Sequence, residues 1–178
     1  INRLKKAHML SIIFIALMVI IVLAAVLIKN QKTAKQASEN SYNMAFYELV
    51  DYVQNVETYL AKSLISSTPE HGAETLTNVW REANLAQAYL SQLPIESQEL
   101  EKTEKFLNQV SDYSYSLSRR NISGEELTQE DLNNLKILYD YSVSLESTLN
   151  QLSEDLYNGE INWYSFQNNN QMQFAQSV

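Results

Sequence analysis

Met9 to Ile28, MLSIIFIALMVIIVLAAVLI, is a run of twenty residues without a charge, and Ser11 is its only polar side chain. At 1.5 Å of rise per residue, a helix of this length covers roughly 30 Å, the hydrocarbon thickness of a bilayer. A helix apolar on every face needs apolar surroundings on every face, which a single small domain does not supply. A secretory signal has a shorter apolar part, roughly 7–15 residues, and a small-residue cleavage motif that Ala24-Ala25-Val26 matches poorly. The run therefore reads as an uncleaved transmembrane helix over 9–28 in contact with lipid, behind a short basic tail over 1–8. The chain opens on Ile, so it is expected to be part of a longer protein.

The flanking charges set the orientation problem. Arg3, Lys5 and Lys6 precede the run and Lys29, Lys32 and Lys35 follow it. The positive-inside rule counts Lys and Arg near the ends, and here the count is tied. The expectation adopted is a cytoplasmic N-terminus with the following domain extracytoplasmic. From Gln36 onward there are seven basic and twenty-one acidic residues. Such a surface repels phosphates, so nucleic acid is not an expected partner. The absence of cysteine excludes a disulfide framework, a thiolate zinc site and a cysteine nucleophile.

Beyond the anchor, helical periodicity continues. Tyr42, Phe46, Leu49, Val53, Val56 and Leu60 recur at steps of four and three, and no Gly or Pro interrupts the chain before Pro69. The anchor and a first helix over 31–66 can thus form one rod. Thr68-Pro69-Glu70 reads as a cap, a first helical turn and an acid facing the helix dipole. A second helix over 69–92 carries Ala73, Leu76, Trp80, Ala83 and Leu90 on its apolar side. A third over 96–120 carries Leu100, Phe106, Leu107, Val110, Tyr113 and Leu117. Thr128 and Asp131 resemble a capping box for a fourth over 129–158, whose seam runs through Leu135, Leu138, Ser142, Leu145, Leu149, Leu152 and Leu156. Asn158-Gly159 is a C-terminal stop. The glycines and prolines lie at or near these boundaries, and no segment alternates with period two. The fold class expected is all-α: a transmembrane helix continuing into an antiparallel up-down four-helix bundle over 31–159. Residues 160–178 lose the period and read as a tail or linker, with Trp163, Tyr164 and Phe166 packing on the bundle end and Asn168 to Asn170 opening the linker.

The chemical inventory is thin. The three glycines lie far apart, so no phosphate loop forms. His8 and His71 cannot make H-E-x-x-H, and the Glu-x-x-His signature of di-iron bundles is absent. Glu96, Glu99, Glu101 and Glu104 read as a charged helix start with Lys102 and Lys105 for local pairing. No catalytic residue, metal or cofactor is expected. Tyrosine stands out at eleven residues. Most read as a bundle rim, with the ring packed and the hydroxyl in water. Tyr47, Tyr52 and Tyr59 on the first helix form a candidate partner-docking surface, because Tyr is enriched at interfaces.

The segments SYNMAFYELVDYVQNVETYLAKSLISSTPEHGAETLTNVWREANLAQAYLSQLPI and FLNQVSDYSYSLSRRNISGEELTQEDLNNLKILYDYSVSLESTLNQL resemble the N-terminal region of the spore germination protein family YpeB. The resemblance covers nearly the whole chain, anchor included, and is most specific in NVWREANLAQAYLSQLP and LNQVSDYSYSLSRR. It implies an endospore-forming bacterium and a non-enzymatic membrane protein of the spore inner membrane or forespore intermembrane space. It also implies a partner, a cortex-lytic enzyme of the SleB type, whose stability, localisation or regulation the protein supports. Family members continue into PepSY-type domains, which are absent from this sequence. The competing reading is the four-helix sensory ectodomain of a receptor, which needs a second transmembrane helix after Val178. Oligomeric state is left open.

Overall fold

The computed structural model describes residues 2–66, 68–95 and 97–163, with side chains in 17–66, 68–95 and 101–163. Four helices follow in order: α1 (Asn2–Leu64), α2 (Pro69–Leu90), α3 (Ser97–Ile122) and α4 (Gln129–Tyr157). No strand occurs among the described residues. The chain divides into two compact units, Ile1–Asn40 and Ser41–Val178.

In the first unit the large apolar side chains from Leu17 to Ile28 are exposed around the whole helix. Water would penalise that surface and lipid would not. The helix is long and apolar enough to cross a membrane. Past it, Lys29, Lys32 and Lys35 are exposed, and Thr33 folds its hydroxyl back onto the Lys29 carbonyl at 3.0 Å.

The second unit is a bundle, and its pairings give the topology. Between α1 and α2, Tyr52 stacks on Tyr89 and Asn55 donates to Glu82. Between α2 and α3, Thr77 meets Ser118, Trp80 meets Tyr115, and Asn84 meets Ser111. Between α3 and α4, Phe106 meets Tyr141 and Tyr113 meets Asp131. Between α4 and α1, Glu146 faces Glu57. In each helix pair with two or more contacts, numbers rise on one helix as they fall on the other. The four helices therefore form a closed ring of antiparallel neighbours, the up-down arrangement expected from the short connections.

The core follows the periodicity. Phe46, Leu49, Val53, Val56 and Leu60 of α1 are fully enclosed, as are Leu76, Val79 and Leu90 of α2, Leu107 and Val110 of α3, and Leu135 and Leu149 of α4. Burying each side chain of this size contributes about 1.5–3 kcal/mol. Trp80 is the correction: it lies on the outer edge of α2, 38% exposed, with its ring 5.5 Å from that of Tyr115. Val79, one residue earlier, takes the core position. The α2–α3 seam is small and polar, with Thr77 Oγ1 donating to Ser118 Oγ at 3.2 Å and Asn84 Nδ2 to Ser111 Oγ at 2.9 Å.

The ends are capped by the residues the sequence singles out. Thr68 accepts from His71 N–H at 3.3 Å ahead of Pro69. Thr128 and Asp131 make both halves of a capping box. Gly124 (φ 82°) and Gly159 (φ 73°) follow α3 and α4 in the left-handed region that favours glycine. Trp163 is fully buried, its ring 5.5 Å from Phe46 and its Nε1 donating to Asn43 Oδ1 at 2.7 Å. The expectations for Glu96, Tyr164, Phe166 and Asn168 to Asn170 lie outside the described residues, as does the side chain of Leu100.

Candidate docking face

The three candidate tyrosines of α1 do not form one surface. Seven residues separate Tyr52 and Tyr59, which keeps them on one helical face, whereas the five-residue step from Tyr47 to Tyr52 turns the helix by about 140°. Tyr52 is half-buried against α2, its ring stacked 5.4 Å from Tyr89. Burial raises its hydroxyl pKa, and the nearby Tyr89, Glu48, Glu82 and Asp51 add to the rise. Tyr59 is also half-buried, with Lys62 Nζ 5.0 Å from its ring centroid. Tyr47 is 40% exposed and turns towards α4.

There it lines a groove of about 720 Å³ with Asn150, Ser153, Glu154, Tyr157 and Asn158. Tyr157 is 86% exposed, and Met44, one turn before Tyr47, is also open. Farther along the same seam, Glu57 faces Glu146 across α1 and α4. Glu57 Oε2 is enclosed and has no hydrogen-bond partner in the ionised pair. Sharing a proton with the Glu146 carboxyl relieves this and, with burial and the charge of Glu146, pushes Glu57 up to about 7.

Charge is segregated around the bundle. Ser41 to Ala61 and Ile137 to Glu160 hold eight carboxylates and no Lys or Arg. Of the cations of this unit, Lys62 lies just beyond on α1 and Lys136 just before on α4, while Arg81 is on α2 and Lys102, Lys105, Arg119 and Arg120 are on α3. Reading for motifs missed both the acid pair and the groove. The missing cations were visible in the sequence, but the pairing of α1 with α4 was not.

Other polar groups are absorbed by the fold. Glu82, almost fully buried, accepts from Arg81 Nη2 at 2.8 Å and from Asn55 Nδ2 at 3.1 Å. Asp131 takes Thr128 N–H at 2.8 Å and the Thr128 hydroxyl at 2.7 Å on Oδ2, with Arg120 Nη1 and Tyr113 OH each at 3.1 Å on Oδ1. Burial would raise this carboxyl, but the hydrogen bonds from Thr128, Arg120 and Tyr113 outweigh it and hold it at about 2. Among the described residues no three His, Cys, Asp or Glu side chains gather as metal ligands, and His71 is exposed. A second hollow, between α3 and α4, is bordered by Tyr113, Asn134, Ile137 and Leu138.

The fold defines a class: an antiparallel four-helix bundle on a chain with an N-terminal helix long and apolar enough to cross a membrane. Residues 30–165 match the family described as YpeB N-terminal, and the chain belongs to that family. The matched residues take in all four bundle segments and begin just after the apolar run, which lies outside the match. The chain is similar to three curated proteins called sporulation protein YpeB. Identity is 31% over 126 residues with that of Halalkalibacterium halodurans, covering 71% of this chain and 28% of the relative. It is 28% over 129 residues with that of Oceanobacillus iheyensis, covering 72% and 29%, and 27% over 126 residues with that of Bacillus subtilis, covering 71% and 28%. The chain thus spans under a third of the length of these relatives. No solved structure matches it.

Proposed function

We propose that this chain is the membrane-anchoring and docking part of a non-enzymatic germination protein. It supports the stability, localisation or regulation of a cortex-lytic enzyme of the SleB type through protein–protein contact. The observation that carries the reading is the match to the YpeB N-terminal family over 30–165, together with the likeness to relatives called sporulation proteins. The bundle's exposed tyrosines and grooves offer contact area without reactive chemistry, which suits a scaffold. The apolar stretch before it serves as a single-pass anchor in the spore inner membrane, with the bundle on the extracytoplasmic side, in the forespore intermembrane space.

The test is genetic. Spores lacking the protein are expected to contain little of the lytic enzyme, measured by immunoblotting of decoated spores, while its transcript stays unchanged. Wild-type amounts at the wild-type location would overturn the reading.

A further inference from the structure

We propose that the groove between α1 and α4 docks a basic segment of a protein partner, one whose Lys or Arg side chains flank an apolar or aromatic side chain. The proposal rests on the docking reading above and adds the face and the chemistry of what it takes.

Three independent features converge on this seam. The first is shape: Tyr47, Asn150, Ser153, Glu154, Tyr157 and Asn158 enclose about 720 Å³ of open groove. The second is apolar surface left open to water. Tyr157 is 86% exposed and Met44 63% exposed, beside Tyr47. Tyr rings are rigid, amphipathic anchors that lose little entropy when covered. The third is the sign of the charge. From Ser41 on, α1 and α4 together carry nine carboxylates against two lysines, Lys62 and Lys136. An excess of carboxylates makes the local potential negative, which steers a basic partner inward and repels an acidic one.

The seam is also electrostatically unfinished. Glu57 and Glu146 face each other, and the hydrogen bond between them needs a shared proton. Within the groove itself, Glu154 is the carboxylate a Lys or Arg would meet. Elsewhere the bundle closes such contacts internally, as Arg81 does for Glu82 and Arg120 for Asp131. The hollow between α3 and α4 has apolar walls, and the carboxylate beside it, Asp140, is already paired with Lys136.

The experiment uses the full chain in neutral detergent micelles and follows backbone amide shifts. The probe is a short peptide of Lys and Gly with one central Leu, and its Glu counterpart is the control. The Lys peptide is expected to produce saturable, salt-sensitive shifts centred on Tyr47, Asn150, Ser153 and Tyr157, while the Glu peptide produces none. The double variant Tyr47→Ala/Tyr157→Ala is expected to weaken binding about tenfold. Glu74→Gln/Glu104→Gln, exposed on α2 and α3, should leave it within about twofold. Shifts centred on α2 and α3, or equal weakening by both double variants, would overturn the assignment of the face and leave the docking reading standing. No shifts at all would overturn the basic-partner chemistry. Failure of the wider functional reading shows separately, as normal enzyme levels in spores lacking the protein.

Discussion

Gly72 in the first turns of α2 and Asn121 near the end of α3 approach so closely that a Cβ on the glycine would lie 2.2 Å from Asn121 Nδ2. Both residues border a cavity of about 180 Å³ under the loops that join α1 to α2 and α3 to α4. Asn121 is 3% exposed, so its amide can make room only by turning within that cavity. Gly72→Ala should improve helix propensity by up to about 1 kcal/mol yet destabilise the bundle overall, by about 1–3 kcal/mol from overpacking. In an Asn121→Ala background the same substitution should be neutral or stabilising. Denaturant unfolding of the four variants in micelles reads this coupling directly.

Asp131 closes the start of α4 onto α3. Its carboxyl is held at about 2, below its ordinary 3.8, so it stabilises the fold fully above that ordinary value. The contribution disappears as pH falls through about 2. Asp131→Asn keeps the shape but removes the charge facing Arg120 and one acceptor for Thr128. We expect it to lower stability at neutral pH by about 1–3 kcal/mol and to flatten the acid limb of a melting-temperature profile.

Glu57 predicts the opposite slope. Its folded value of about 7 exceeds its ordinary 4.5, so the folded state holds a proton that the unfolded state has already released. Stability from this site is fully present below 4.5 and is lost as pH rises through about 7. Glu146 of α4 is the charged group acting on it. Glu57→Gln should abolish the decline in melting temperature across this window, and an unchanged slope in that variant would contradict the pairing.

Trp163 ties the chain after α4 back to α1. Trp163→Ala should cost about 3–5 kcal/mol, as expected for removing a fully buried large side chain. Trp163→Phe keeps a ring beside Phe46 but leaves Asn43 Oδ1 without its donor, a loss of about 1–3 kcal/mol. Thermal melts followed by far-UV circular dichroism rank the two.

Much of this architecture was legible in the sequence because helices write their buried face locally. The steps from Phe46 to Leu60, the Thr68-Pro69 start and the Thr128–Asp131 box each depend on residues within a few positions of one another, and each forms. Trp80 was misread because it lies only about 40° round the helix from Leu76, close enough to join an apolar stripe on paper. The tyrosines show the same limit. Shared membership of α1 suggested one surface, whereas helical phase sends Tyr52 to Tyr89 and Tyr47 to the α4 side. Glu57 and Glu146 are far apart in the chain and meet only because α1 and α4 are neighbours, which no local pattern encodes. Gly72 read as punctuation, and its close approach to Asn121 required the third dimension.

The proposed docking of this bundle on a cortex-lytic enzyme is tested most directly by measuring the affinity between the two purified proteins. The protein is extracted in mild detergent and titrated with the enzyme, alongside its Tyr47→Ala/Tyr157→Ala variant. We expect saturable binding that weakens with salt and falls about tenfold in the variant. Absence of binding, under conditions where the bundle is folded, would contradict the account.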